Sequence, residues 1–372
     1  MKRLGRNLLI AANVVCLTPL FLAMLAPYVN VERWWLPSVC ALLYPWVLLL
    51  PLVCCIPWVF FARVMLVFNL GVLALNFNHI AATYQINSQG GADPRDVRVV
   101  SMNVDAFRFK SENVRTVANL LLKQKPDILC LQEFRSELSE GPPPLPYFKE
   151  KLGLAHHAFV PLSPGKAFGL IIFSRYPIVR TNVLGDTSRH SGNGLMFADL
   201  VLYGETLRVY NMHLESYSFS VSQKRMLGQA QTPARARKEN GKRRKVSSDE
   251  LNSRNVWEVV KVMLGAWRNQ LKQLAAYRRH KQNAPRAVIV CGDLNNTPHT
   301  YMYRKMTEEM QDCFREAGNG FGKTYGSGPK ALRIDYILAS NRLKVSRFRT
   351  LETQVVSDHK ANYAQLRFNF HK

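Results

Sequence analysis

The chain has 372 residues, 47% of them hydrophobic, with a formal net charge of +24. That length allows one large domain with an appendage or two ordinary domains, and so strong a basic surplus points to anionic partners. Seven cysteines without a C-x-x-C pair in the polar part of the chain argue against a disulfide framework and against a zinc site.

Residues 7–84 carry almost no charge beyond Glu32, Arg33 and Arg63, so this third reads as a membrane anchor. A bilayer core takes about 20 apolar residues per helix, which predicts spans near 8–29, 36–56 and 61–80, with Pro51 and Pro57 as interruptions. A cleaved signal is the rival for the first run, but a second apolar stretch follows at once. Lys2, Arg3 and Arg6 place the N-terminus in the cytoplasm. Three spans then make a multi-pass inner (plasma) membrane protein with an extracytoplasmic C-terminal domain; a single broken second span would turn that domain inward.

Residues 85–96 form a Gly/Asn/Ser-rich linker, and the domain proper begins at 97. Strand-like runs cover 97–102, 128–132, 169–173, 195–202, 207–212, 287–291, 334–339 and 363–370, with helical spacing at 112–123 and 256–281. The mixture predicts an α/β (α+β) domain. Cys130 and Cys291 fall inside buried-looking runs and read as small core residues. The insertion near 223–254 packs nine Lys/Arg against one acid between Lys224 and Lys245. It is either a solvated loop or a basic surface facing substrate.

Several apolar runs end in residues suited to metal ligation or proton transfer: Asn103 and Asp105, Gln132 and Glu133, Asn211 and His213, Asp293 and Asn295, Arg333 and Asp335, and Asp358 and His359. Any one of these could be a turn or a helix cap. Buried carboxylates are costly without a compensating cation or hydrogen bonds, so the repetition argues for one site assembled from strand ends.

The motifs Asn103-Val-Asp105, Leu131-Gln-Glu133, Gly292-Asp293-Leu-Asn295, Arg333-Ile-Asp335-Tyr-Ile-Leu and Ser357-Asp358-His359 resemble, in this order, the endonuclease/exonuclease/phosphatase (DNase I-like) superfamily, in a layout similar to its bacterial membrane-anchored members. The resemblance implies a four-layer sandwich of two β-sheets flanked by helices. Beside it, oxygen and amide ligands suit Mg²⁺ or Mn²⁺. Glu133 is the expected ligand, with Asn103 beside it and Asp358 as a second carboxylate. Asp293 is expected to activate water with Asn295 fixing geometry, and His359 to contact the phosphoryl oxygen with Asp335 setting its tautomer. His213 and Asn211 belong at the leaving-group side or on phosphate, with Asn103 and Asp105 as further substrate contacts. Asn296 replaces the usual Asp after Asn295 and receives no role.

The expected activity is metal-dependent hydrolysis of a phosphate ester. Nucleic acid, a phospholipid headgroup and a sugar or inositol phosphate all qualify as substrates, with membrane lipids as a further partner and no protein partner expected. The alternative is a catalytically silent membrane protein that binds a phosphorylated ligand or anionic lipid.

Overall fold

The computed structural model describes residues 3–91, 93–162, 167–185, 192–217, 253–326, 332–353 and 355–369. The basic stretch Lys224–Lys245 lies outside them. The helical region comprises α1 (Arg3–Leu25), α2 (Leu36–Leu42), α3 (Tyr44–Val47), α4 (Leu49–Phe61), α5 (Arg63–Leu75) and α6 (Phe77–Thr83). Among the described residues, two helices are long and apolar enough to cross a membrane: Arg3–Leu25, with a mean hydropathy of 2.4, and Tyr44–Phe61, with 1.9. A third candidate is α5 with α6, bent by 55°.

The second span therefore starts later than expected. Residues 36–42 form a separate helix, because the backbone breaks at Leu43 (φ −93°, ψ 13°). Pro51 and Pro57 do not interrupt α4. Pro51 lies in the first turn, where its missing N–H has no intrahelical partner, and membrane helices accommodate an internal proline such as Pro57. Inside the bundle, Asn13 and Asn69 exchange amide hydrogen bonds of 3.1 and 2.8 Å, and the Trp58 indole donates to Asn13 at 3.1 Å. These polar contacts tie α1 to α5 and α4.

The remaining chain runs β1 (Gln85–Ile86), β2 (Val97–Asn103), α7 (Ser111–Leu122), β3 (Ile128–Arg135), α8 (Pro144–Leu152), β4 (His156–Pro161), β5 (Phe168–Ser174), β6 (Ile178–Leu184), β7 (Gly194–Leu202) and β8 (Glu205–His213). It continues through α9 (Ser253–Lys281), β9 (Ala287–Asp293), α10 (Tyr301–Thr307), β10 (Met310–Asp312), α11 (Cys313–Ala317), β11 (Asn319–Gly320), β12 (Asp335–Ser340), β13 (Leu343–Leu351) and β14 (Ala361–Phe368). The segment expected to be a plain linker is docked: β1 pairs with β11, and the Asn87 side chain donates to the carbonyls of Arg315 and Gly318.

Two six-stranded sheets form, ordered β13-β14-β2-β3-β5-β4 and β10-β12-β9-β8-β7-β6. Each has one parallel pair at its centre, β2 with β3 and β8 with β9, among antiparallel neighbours. Parallel central strands are buried on both faces and read as continuous apolar runs. Val99, Ile128, Cys130, Val209, Ile289 and Cys291 fill the space between the sheets. The outer face of the first sheet packs on α7 and α8 through Val114, Val117, Leu121 and Phe148. That of the second packs on α9 and α10 through Leu274, Tyr277, Met302 and Met306. This gives the expected four layers, and Cys130, Cys291 and Cys313 are free buried core residues.

Candidate active site

The C-terminal ends of the four central parallel strands converge, so that Asn103, Glu133, His213 and Asp293 meet at one end of the sandwich. Register enforces this: His213 stands opposite Asp293 across β8 and β9, and Asp335 stands opposite Asp293 across β9 and β12. Gly292 permits the close approach. Its φ is +147°, and a Cβ there would lie 2.0 Å from the Met212 carbonyl oxygen. On β3, a register shift between Leu131 and Phe134 and a positive φ of 52° at Glu133 turn its carboxylate toward the cleft.

Asp293 is 1% exposed. Its Oδ1 accepts the Asn295 backbone N–H at 2.8 Å, and its Oδ2 accepts from the Asn103 amide at 3.3 Å. Oδ2 lies 3.6 Å from His359 Nε2 and 3.7 Å from His213 Nε2. Burial and the Asp335 charge push its pKa up to about 6, against the opposing pull of His359, His213 and the Asn295 N–H. Ionised and protonated forms are thus both accessible near neutrality.

His359 Nδ1 is 2.9 and 3.1 Å from the two Asp335 oxygens, so an N–H there is aimed at the carboxylate and Nε2 faces the cleft. Burial works against the imidazolium, but the charges of Asp335 and Asp293 outweigh it and raise the pKa to about 10. The Asn295 amide is held by the Leu214 carbonyl at 3.0 Å.

On the open side, Glu133 Oε1 accepts from Asn103 Nδ2 at 2.9 Å and lies 3.7 Å from His213 Nε2. Asp105 and Asp358 complete an acidic rim, their side chains 40% and 47% exposed. Burial and the Asp358 and Glu133 charges raise the Asp105 carboxyl above its ordinary range. The turn carrying it, Asp105–Phe109, runs through left-handed backbone at every residue, a strain that functional sites tolerate.

Among the described residues, one group has side-chain spacing that could hold a metal ion, and a second set of carboxylates lines the open rim. Asp293, Asp335 and His359 are buried with ligand atoms within 4.8 Å of one another, but His359 Nδ1 is already engaged by Asp335. Glu133, Asp105 and Asp358 present oxygens to solvent in a rim whose like charges raise a carboxyl pKa, which is the electrostatic condition a hard divalent cation relieves.

Asn211 sits beneath this cleft. It is 0% exposed, donates to the carbonyls of Leu131 and Ile171 at 2.9 Å each, and accepts from Gln132 at 2.6 Å. Expected to contact substrate, it is instead spent inside the sandwich, tying the two sheets together. Asn296 is likewise internal, bonded to Gln270 and to the Leu294 carbonyl.

Sequence reasoning missed Tyr325. Its ring lies 4.8 Å from that of His359, and burial with the charges of Asp358, Asp293, Asp105 and Glu133 drives its phenol up to about 12. No strand-end pattern marks it, because it reaches the site from a loop through an isolated bridge to His359. Ser357 is a second residue that carries no strand-end signal of its own. Its hydroxyl donates to the Asn103 carbonyl and accepts the His359 N–H, joining the two strand ends.

A family model described as the Endonuclease/Exonuclease/phosphatase family matches residues 100–359, and one described as a domain of unknown function (DUF8431) matches residues 6–83. No curated protein matches the chain. Among solved structures, D. rerio TDP2 complexed with single strand DNA product is 16% identical, covering 74% of this chain and 100% of that one at a TM-score of 0.50. The endonuclease/exonuclease/phosphatase from Beutenbergia cavernae DSM 12333 is 19% identical, covering 74% and 72% at 0.49. Truncated Caenorhabditis elegans TDP2 is 17% identical, covering 73% and 97% at 0.49. At such identities the likeness is one of fold.

Proposed function

The chain belongs to the endonuclease/exonuclease/phosphatase family, and from that premise we propose that it is a membrane-attached phosphoesterase using Mg²⁺ or Mn²⁺ and an Asp-activated water. The observation that carries this reading is Asp293: a buried carboxylate with a pKa near 6, oriented by the Asn295 N–H and facing two imidazoles. A receptor that only held phosphate would gain nothing from placing an acid where the ligand's charge must sit.

When bound, the divalent cation would supply charge neutralisation at the phosphoryl oxygens, with Glu133 as its principal ligand and Asp358 and Asp105 beside it; the Asn103 amide turns its NH₂ to Glu133 and its oxygen to the Asp105 N–H, which makes it a support of the ligand set. Asp293 takes the proton of the attacking water, and Asn295 holds that carboxylate in line. His359 presents its Nε2–H to a phosphoryl oxygen, while Asp335 keeps the ring protonated and in register. Tyr325 braces the His359 ring, and His213 faces the leaving group. Asn103 donates to both Glu133 and Asp293, so it sets their separation as well as lining the substrate cleft.

We further place the helical region in the inner membrane as three spans, with the N-terminus inside and the domain from residue 97 outside the cytoplasm. Substrates on that side include nucleic acid, lipid headgroups and inositol or sugar phosphates; D. rerio TDP2 holds a single-stranded DNA product in its solved complex. Full-length protein in detergent should hydrolyse a generic phosphodiester with Mg²⁺ and stop with EDTA. Glu133→Gln should raise the Mg²⁺ concentration needed for half-maximal rate at least ten-fold. A rate indifferent to EDTA would remove the metal from this proposal.

A further inference from the structure

The contacts between the helical region and the catalytic domain converge on the chain segments that carry the site. Downstream of Asn295, Thr297 Oγ1 donates to the Ala41 carbonyl at 3.2 Å, and His299 Nε2 lies 3.1 Å from Thr83 Oγ1. The His299 ring packs on Tyr44 with centroids 4.0 Å apart. Arg304 donates to the Pro27 carbonyl at 3.4 Å, its guanidinium 4.3 Å above the Tyr28 ring. Two residues before Asp335, Arg333 donates through Nη2 to the Ala82 carbonyl at 3.0 Å and through Nη1 to Asp312 at 2.7 Å.

On the catalytic-domain side all of these residues but Arg304 are buried. Thr297, His299 and Arg333 are only 3%, 2% and 6% exposed, so a lost partner leaves a group without water to replace it. The path inward is short. The Leu294 N–H donates to the Ile334 carbonyl at 2.9 Å, locking the residue after Asp293 to the residue before Asp335. The Tyr336 hydroxyl bonds the carbonyls of Asn296 at 2.7 Å and Arg333 at 2.9 Å, closing the same two segments together. Ala82 and Thr83 at the end of α6 therefore hold both strands that carry Asp293, Asn295 and Asp335.

We infer that the helical region is part of the catalytic apparatus, with Arg333 and His299 as positioning residues through which Ala82 and Thr83 set the Asp293 and Asp335 strand ends. This rests on the roles proposed above for those carboxylates. Arg333 and His299 touch no substrate; they act on the reaction through the backbone of residues 293–297 and 333–335. A purely tethering anchor would leave kcat indifferent to these contacts. A positioning anchor makes kcat depend on them far more than KM, because the cleft wall formed by Asn103 and Glu133 lies on the other sheet and meets these strand ends through the 3.3 Å Asn103–Asp293 bond.

The experiment uses full-length protein in detergent, with kcat and KM measured separately on a phosphodiester with Mg²⁺. Thr83→Val keeps side-chain shape but removes a hydroxyl that pairs with His299 and donates to the His79 carbonyl at 3.0 Å, and losing both bonds is expected to lower kcat by at least about five-fold with KM within two-fold. Thr83→Ser keeps the hydroxyl and should restore the wild-type kcat. Arg333→Lys keeps the charge beside Asp312 but loses the planar fork that also reaches Ala82, and should cost kcat at least ten-fold. If Arg333→Lys fails to fold, the half-buried Thr83 pair carries the test alone. Unchanged kcat in Thr83→Val, in an enzyme that Asp293→Asn still inactivates, overturns the positioning role and leaves the proposed function standing. An enzyme that Asp293→Asn does not inactivate overturns both.

Discussion

Replacing Asp335 by Asn tests the electrostatics of the site without changing its shape. The His359 imidazole rises from an ordinary 6.5 to about 10 because the carboxylates of Asp335 and Asp293 outweigh its burial. At 1.36 kcal/mol per pKa unit, that difference represents on the order of 5 kcal/mol favouring the imidazolium. Asp335 is its largest favourable source and the only one bonded to Nδ1, at 2.9 Å. An amide there removes the charge and can turn its NH₂ toward the ring, selecting the wrong tautomer. His359 should then be neutral at pH 8, and kcat should fall by roughly 10²–10⁴, the range for a lost general acid or tautomer-setting carboxylate. The assay is steady-state hydrolysis of a phosphodiester from pH 5 to 10.5, in which the alkaline limb of wild type should move toward neutrality in the variant. A loss under ten-fold with an unmoved limb would refute the assignment of His359 as a cation held by Asp335.

The pH profile of the wild type follows from the same groups. Asp293 accepts a proton only when ionised, so turnover should rise through about pH 6, and His359 donates only while protonated, so it should fall through about pH 10. In stability, the raised His359 pKa contributes fully below about 6.5 and is lost as pH climbs through about 10, which pH-dependent thermal unfolding will register. Gly292→Ala places a Cβ 2.0 Å from the Met212 oxygen and should cost about 4 kcal/mol or prevent folding, read by expression and thermal melts. Asn211→Leu breaks three buried hydrogen bonds between the sheets and should lower stability by about 3 kcal/mol, roughly 6–12 °C in a domain of this size.

What could be read from residue order divides along physical lines. The eight strands visible as apolar runs include every central strand of both sheets, where burial on two faces demands Val, Ile and Leu. The missed strands β4, β6, β10 and β13 are the four edges of those sheets. Edge strands face solvent on one side, and β6 shows it: Val179, Arg180, Thr181 and Asn182 are all exposed. The site was legible for a related reason, since a buried run that closes on a carboxylate contradicts the pattern around it. Tyr325 and Ser357 were not, because a loop residue is placed by the fold and not by spacing. Asn211 has the chemistry of a substrate contact, and only its two backbone acceptors show that it is spent inside the sandwich. The contacts of Arg333 and His299 with Ala82 and Thr83 span more than 200 residues of chain and leave no local signature.

The role proposed for Asp293, activating water for attack on a phosphate ester, has a direct test. Full-length wild type and Asp293→Ala, both in detergent with saturating Mg²⁺, should be compared for single-turnover cleavage of one phosphodiester. The wild type should cleave, and the variant should lose at least about 10³-fold in rate with substrate still bound. Equal rates from the two proteins would contradict it.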